Sequence, residues 1–298
     1  MTISSSWSSK YIPNLRGKTA LITGGNKGLG FQSALELSKK GAKVIISCRD
    51  VKAGLKAKKK IMTEVPVAEI EVIPLDLTDL VSIKHFSETV KQNFERLDIL
   101  LCNAGVVNLD SRQLTNSGDE MHMATNHFGH FALTGLLLPL IIASENSRVV
   151  VVSSLAYKSG AINFDDLNWE DREYSRFKCY GDSKLANLLF VKYLNQFLRE
   201  KGASTIAVSA HPGLTGTERQ QSIGIGGKLA KWIASPVEKG VRPQLLAAID
   251  PQAEPNDFYG PRYGVVGKPV KIKLNRLEEH DAVKLWELSE KNTGVAFE

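Results

Sequence analysis

Residues 23–30 read TGGNKGLG, set between a short apolar run, TALIT (19–23), and a helix-forming stretch, FQSALELSKKG (31–41). Gly24, Gly28 and Gly30 fall in the pattern G-x-x-x-G-x-G. Gly24 permits a sharp turn off a strand, Gly28 lets the backbone approach a pyrophosphate, and Gly30 lets the following helix pack closely on a sheet. The free N–H groups and positive dipole of that helix then favour an anion at its start. A glycine-rich turn by itself needs no ligand. Its place between a strand and a helix, near the start of the chain, is what points to a dinucleotide. Thr23, Asn26, Lys27 and Leu29 are counted with the three glycines as cofactor-binding positions. Lys27 is the awkward member, because it brings a long charged side chain to a crowded turn.

Outward from this loop the chain keeps alternating. Further β-branched apolar runs occur at 43–47, 70–75, 97–102, 148–153 and 205–209, with helix-length stretches between them. Strands that are apolar on both faces, separated by helices, predict a parallel sheet covered on both sides. The expected fold is therefore α/β, a single Rossmann-type doubly wound parallel sheet flanked by helices on both faces. Ligands in such sheets bind beyond the carboxyl ends of the strands. Residues 1–15 read as a loose tail, 16–298 as one dinucleotide-binding catalytic domain, and the Gly- and Pro-rich 213–270 as loops and short helices covering the site. A last amphipathic helix is expected over 277–291.

Bulk composition narrows the classes. The 298 residues are 43% hydrophobic and 23% charged, with a net charge of +6. The basic residues are scattered, and the one dense run, 56–60, reads as the solvated face of a helix, so nucleic acid is not an expected partner. Cys48, Cys102 and Cys179 are odd in number and far apart, which suggests neither a disulfide framework nor a metal site. The polar N-terminus lacks the apolar core of a signal peptide. The apolar stretch 131–143 carries Pro139 and is short for a bilayer, so it reads as a buried helix. A soluble, cytoplasmic protein with no membrane span is expected.

The strand ends hold the candidate chemistry. The second strand runs into Cys48 and Arg49 rather than a carboxylate, and a guanidinium suits the 2′-phosphate of NADP. Asp50 is either a ribose acceptor or the cap of the helix that follows. Asp76-Leu77 follow the third strand, with Asp76 either an acceptor for the adenine amino group or a cap. Asn103, Ala104 and Gly105 follow the fourth, small enough to pass beneath a flat cofactor. The fifth ends at Ser153-Ser154, and a helix is expected to begin near Tyr180. Tyr180 and Lys184 are one helical turn apart on one face. A free tyrosine has a pKa of roughly 10, and an ammonium beside it favours the phenolate.

Taken together, TGGNKGLG, CNAG (102–105), Ser154 and YGDSK (180–184) resemble the short-chain dehydrogenase/reductase family, over about residues 16–217. Asn126, in TNHFGHF (125–131), and HPGLTGT (211–217) match further family segments. Within the family the likeness is to retinol-dehydrogenase-like and carbonyl-reductase-like NADP-dependent members. The resemblance implies that Tyr180 exchanges a proton with the substrate oxygen and that Ser154 hydrogen-bonds it. Lys184 lowers the tyrosine pKa and holds the nicotinamide ribose, and Asn126 supports a water-linked proton relay. Thr217 and the backbone near Leu214 hold the nicotinamide carboxamide, and Pro212 and Gly213 count with them as cofactor-binding. The implied activity is hydride transfer between NADP(H), preferred over NAD(H), and a carbonyl or alcohol. Leu155, Phe164, Trp169, Phe177, Leu214, Ile223 and Trp232 make an apolar or amphipathic substrate the expectation. The alternative is an NADP(H)-binding sensor of the same fold with little turnover. Cys102 replaces the first asparagine of N-N-A-G, and Thr215 stands where the family has valine. The stretch between Ser154 and Tyr180 is longer than in most members, so it is either a lid or a block to the helix pairing of tetrameric relatives. A homo-oligomer is possible on this reading, not required.

Overall fold

The computed structural model describes residues 7–107, 109–215, 235–274 and 277–298. Its centre is an eight-stranded sheet in the order β3-β2-β1-β4-β5-β6-β7-β8. The strands are β1 (Thr19–Thr23), β2 (Lys43–Cys48), β3 (Ile70–Pro74), β4 (Ile99–Cys102), β5 (Arg148–Val152), β6 (Ile206–Ala210), β7 (Phe258–Pro261) and β8 (Pro269–Lys271). All neighbours pair in parallel except β7 with β8. The strand order reverses direction between β1 and β4, so the crevice of a doubly wound sheet opens there.

Helices cover both faces: α1 (Gly28–Ser38), α2 (Val51–Glu64), α3 (Leu80–Asn93), α4 (Gly129–Ile142), α5 (Arg176–Glu200), α6 (Arg242–Ile249) and α7 (Glu279–Thr293). Period-two alternation along the strands sorts two cores. Leu21, Ile45, Leu100 and Val149 point to the face that also buries Phe86, Phe131 and Phe190. Ala20, Ile22, Val44, Ile46 and Val150 point to the other, with Ala34, Ile61 and Leu245. The chain's end closes the first core, where Trp286 packs on Phe297 with ring centroids 4.4 Å apart.

Several sequence expectations change here. Residues 7–15 are not a loose tail: Trp7, Ile12 and Leu15 are buried in the second core, adding apolar area beneath β1. The stretch 213–270 is not all cover, since it supplies α6, a core helix, and the pair β7 and β8. Strand β8 is antiparallel because only residues 262–268 separate it from β7, too few for a crossover. The lysine run 56–60 lies on α2 with Ala57 buried, Lys58 half-buried and Lys56, Lys59 and Lys60 exposed, as a solvated helix face requires. One helical stretch among the described residues, Met121–Ile142, is long and apolar enough to cross a membrane, and most of it is buried inside the fold. All three cysteines are buried and unpaired.

Candidate active site

The glycine loop begins where β1 ends. Gly24 and Gly28 have positive φ, 65° and 57°, which only glycine adopts cheaply. A Cβ on Gly30 would lie within 2.7 Å of the Asn103 side-chain nitrogen and closer still to the Gly24 carbonyl. Thr23 is fully buried, and its Oγ1 accepts from the N–H groups of Asn103 and Ala104, each at 2.9 Å. The Asn103 amide returns a bond to the Thr23 carbonyl at 2.8 Å, so the ends of β1 and β4 form one surface.

Lys27 is the N-cap of α1, and its side chain makes no capping bond. A lysine has no acceptor to offer the first-turn N–H groups, which leaves them directed at whatever anion arrives. This open helix start, beside a loop shaped by positive-φ glycines, fits the pyrophosphate of a dinucleotide. Lys27 and Arg49 are exposed and neither makes an ion pair among the described residues. They stand at the ends of adjacent strands, in register Thr23 to Ser47, and the Gly24 N–H binds the Ser47 carbonyl at 2.8 Å. Asp50 caps α2, its carboxylate accepting from the Ala53 N–H at 3.0 Å. Asp76 caps no helix. It accepts from the N–H and hydroxyl of Thr78, at 2.9 and 2.7 Å, while Asp79 caps α3. The Leu77 side chain belongs to the core.

The candidates for proton chemistry gather on the other side of the crevice. Ser154, Tyr180 and Lys184 line one cavity of about 280 Å³ with Leu29, Asn103, Gly105 and residues 212–215. Helix α5 starts at Arg176, earlier than the sequence predicts, so Tyr180 stands one turn inside it. Lys184 is buried, 4% exposed, and its Nζ donates to the Val152 carbonyl at 3.0 Å and lies 5.6 Å from the Tyr180 ring centroid. Ser154 Oγ accepts from the Ala156 N–H at 3.2 Å, which leaves its proton free to donate outward.

Asn126 sits in a π-helical turn, Ala124–Phe128, ahead of α4. Its Oδ1 accepts from the Val106 N–H at 2.7 Å. Its Nδ2 donates to the Val106 carbonyl at 3.0 Å and to Ser183 Oγ at 2.9 Å. The side-chain amide is thus occupied by structure, and a Cβ on Gly105 would come within 2.9 Å of it. Ser183 was not among the sequence candidates, and neither was Ser153, whose hydroxyl donates to the Lys184 carbonyl at 2.7 Å. A serine at a strand end or on a helix face carries no sequence signal that separates these roles from solvent exposure. Behind Tyr180, Glu120, His122 and Cys179 are buried with ligand-type atoms within 4.8 Å of one another. Glu120 accepts from His122 Nδ1 at 2.8 Å and from the Met123 N–H at 2.9 Å, and the two bonds help hold its carboxyl below the usual range despite burial. Burial, and then the Glu120 charge, push the Cys179 thiol far up, so the cluster is a hydrogen-bonded buttress for the start of α5.

This sheet, a glycine loop at its switch point and a Ser-Tyr-Lys set on the facing helix describe one family, and direct comparison agrees. The short chain dehydrogenase model matches residues 18–226. The chain belongs to the short-chain dehydrogenase family. It is 43% identical to human retinol dehydrogenase 13 over 211 residues, 71% of this chain and 63% of that protein. With human retinol dehydrogenase 14 the identity is 37% over 302 residues, 94% of this chain and 88% of the other. A crystal structure of an uncharacterized protein from Mycobacterium Paratuberculosis superposes with a TM-score of 0.83 at 38% identity, covering 98% of this chain and 99% of that one.

In this short-chain dehydrogenase the apolar wall differs from expectation. Leu155 and Leu214 line the cavity, joined by Val106, Val107 and Val265. Phe164 packs in a satellite core with Met123 and Leu189. Trp169 is buried under the Arg172 guanidinium, 3.7 Å from its ring centroid, and Phe177 is exposed. Ile223, Trp232 and Thr217 lie outside the described residues. The insertion before Tyr180 is fastened down: Asp182 Oδ1 accepts from the Ala161 N–H at 2.7 Å, and Arg172 pairs with Asp166 at 3.1 Å and with Asp182 at 3.5 Å.

Proposed function

We propose that this chain transfers a hydride between NADP(H) and a carbonyl or alcohol of apolar or amphipathic character, within a catalytic unit running to residue 298. The meeting of Ser154, Tyr180 and Lys184 on one wall of the crevice carries the reading. The nicotinamide, when bound, supplies or accepts the hydride. Ser154, with its oxygen already engaged by the Ala156 N–H, directs its proton at the substrate oxygen. Tyr180 gives that oxygen a proton in reduction and takes it in oxidation. The Lys184 ammonium, fixed by the Val152 carbonyl, favours the phenolate form of Tyr180. Asn126 has no free side-chain group for a relay, so it contributes through its main-chain carbonyl.

Lys27 and Arg49 support NADP over NAD. Both cations are exposed at the ends of β1 and β2, where the adenosine ribose belongs, and Asp50, the carboxylate next to Arg49 in the chain, is engaged as a helix cap. The valine and leucine lining supports an apolar substrate, and the names of the relatives place retinoids among the first alcohols and aldehydes to assay. The three unpaired thiols support a reducing, cytoplasmic setting.

The test is a panel of aldehydes, ketones and alcohols followed by NADPH absorbance, with Tyr180→Phe alongside. The variant should bind NADPH normally and lose turnover by about a thousandfold or more. A native protein that binds NADPH and turns over nothing on a broad panel gives the function to a cofactor sensor instead.

A further inference from the structure

His130 is a fully buried histidine that the chemistry above does not use, and it lies between its two halves. Its Nε2 is 2.9 Å from Thr23 Oγ1, at the end of β1 where the glycine loop begins. Its Nδ1 is 3.1 Å from the main-chain carbonyl of Asn126, one turn earlier on the same helical stretch.

The donors and acceptors fix the direction of every bond. A carbonyl only accepts, so Nδ1 carries the proton toward Asn126. A neutral imidazole then has its lone pair at Nε2. Thr23 Oγ1 already accepts from the Asn103 and Ala104 N–H groups, which uses both of its lone pairs. Its own proton is left to donate, and His130 Nε2 at 2.9 Å is nearer than the Leu101 carbonyl at 3.4 Å. Burial first, and then the Lys184 ammonium, hold the His130 pKa down to about 4, against the pull of the bond to Asn126. Burial holds His127 neutral to about 3 and pushes the thiol of Cys102, which neighbours Thr134 one turn on, up to about 12, so neither brings a charge to the ring. The ring is therefore neutral, with one tautomer.

We propose that His130 is a positioning residue that couples the dinucleotide loop to Asn126, accepting from Thr23 and donating to the Asn126 carbonyl. The π-helical turn gives this coupling its purpose. Such a turn disturbs the regular backbone ladder, and the Asn126 carbonyl lies within it, where small rotations of the peptide redirect the oxygen. His130 holds that oxygen against the same threonine that joins β1 to β4. A loop ordered around its ligand thus keeps the carbonyl aimed, and a loose loop releases it.

The inference rests on the proposed function only for its kinetic readout. In protein labelled with 15N-histidine, His130 should show a protonated Nδ1 and an unprotonated Nε2 throughout about pH 5.5 to 8. A proton on Nε2, or titration near the ordinary value of about 6.5, overturns the bridge. His130→Leu keeps apolar bulk and removes both bonds. It should raise the NADPH Kd about tenfold and lower kcat at saturating cofactor about tenfold, with substrate KM within about threefold of native. His130→Gln, which offers both a donor and an acceptor, should recover most of both losses. Equal losses in the two variants, or a leucine variant within about twofold of native, overturn the proposal. Thr23→Val combined with His130→Leu should weaken NADPH binding less than the product of the single effects, and independent effects overturn it. Should the variants not fold, the tautomer measurement on native protein decides alone. Should native protein turn over no substrate, the functional reading fails while the tautomer and NADPH-binding results still decide the bridge.

Discussion

Lys184 and Val152 are joined across the site: the lysine Nζ donates to the last carbonyl of β5 at 3.0 Å, and the same carbonyl accepts from Asn187 Nδ2 at 3.1 Å. One residue further on, Ser153 sends its hydroxyl back to the Lys184 carbonyl at 2.7 Å. Strand β5 and helix α5 are thereby latched in both directions, and Ser154 and Tyr180 take their positions from that latch.

The two serines should therefore fail differently. Ser154→Ala should leave the melting temperature near native and lower kcat by about a hundredfold, because it removes the hydroxyl proposed to donate to the substrate oxygen. Ser153→Ala should cost about 1 kcal/mol of stability through a lost buried hydrogen bond, with a smaller loss of kcat. Thermal melts beside steady-state kinetics separate them, and identical profiles would count against the latch.

Coenzyme choice should follow the two exposed cations. The native protein is expected to bind NADPH well ahead of NADH. Lys27→Ala should cut that preference by about tenfold, and Arg49→Ala by more, since a guanidinium binds phosphate bidentately. Titration of each variant with both coenzymes checks it. Equal native affinity for the two removes the assignment.

Gly30→Ala should abolish cofactor binding. Its Cβ would press on the Gly24 carbonyl of the loop and on the Asn103 side-chain amide, which is held by the Thr23 carbonyl, so the helix start must move away. A destabilisation of about 2 kcal/mol is expected from such overpacking. Native NADPH affinity in a folded variant would show that the loop tolerates the shift.

Acid should destabilise the fold well before the carboxylates titrate. Burial holds His127 to about 3, and His130 and His211 to about 4. The unfolded chain binds these protons first, near pH 6.5, so stability is complete above that value and is lost as pH falls through 4. Asp182 works in the opposite sense. Burial raises it to about 6, so its contribution is present at low pH and is lost as pH rises through 6. Three histidines outweigh one aspartate, and the melting temperature should drop steadily from pH 6.5 to 4. A flat profile over that range would contradict the burial of the three rings.

Arg172→Ala should loosen the segment before α5. The variant leaves Asp166 and Asp182 buried without their cation and uncovers Trp169. With the guanidinium itself partly exposed, a loss of about 2 kcal/mol is expected, with faster proteolysis between residues 160 and 175. Unchanged cleavage would show that the segment is held by other contacts.

Much of the site is readable from the chain because its parts are local. TGGNKGLG is a strand end, a turn and a helix start within eight residues, and Tyr180 and Lys184 share a helix face by spacing alone. The apolar runs likewise place six strands, since a strand buried on both faces has no other way to be written. Strands β7 and β8 stay hidden because they are short and carry glycine and proline, which read as loop. The apolar wall misleads for a related reason: Phe164 and Trp169 are apolar in the right region, but composition does not say which side of an insertion faces the cavity.

The sequence by itself determined a doubly wound α/β fold, a glycine-rich turn between its first strand and helix, and the shared helix face of Tyr180 and Lys184, each through short-range spacing and backbone chemistry. Tertiary structure alone decided that Asn126 is locked by Val106 and Ser183, and that His130 spans Thr23 and the Asn126 carbonyl. Those relationships join residues as far as 107 positions apart. Which of two polar groups satisfies the other at such separation depends on how the sheet and helices close around them, and no local pattern encodes it.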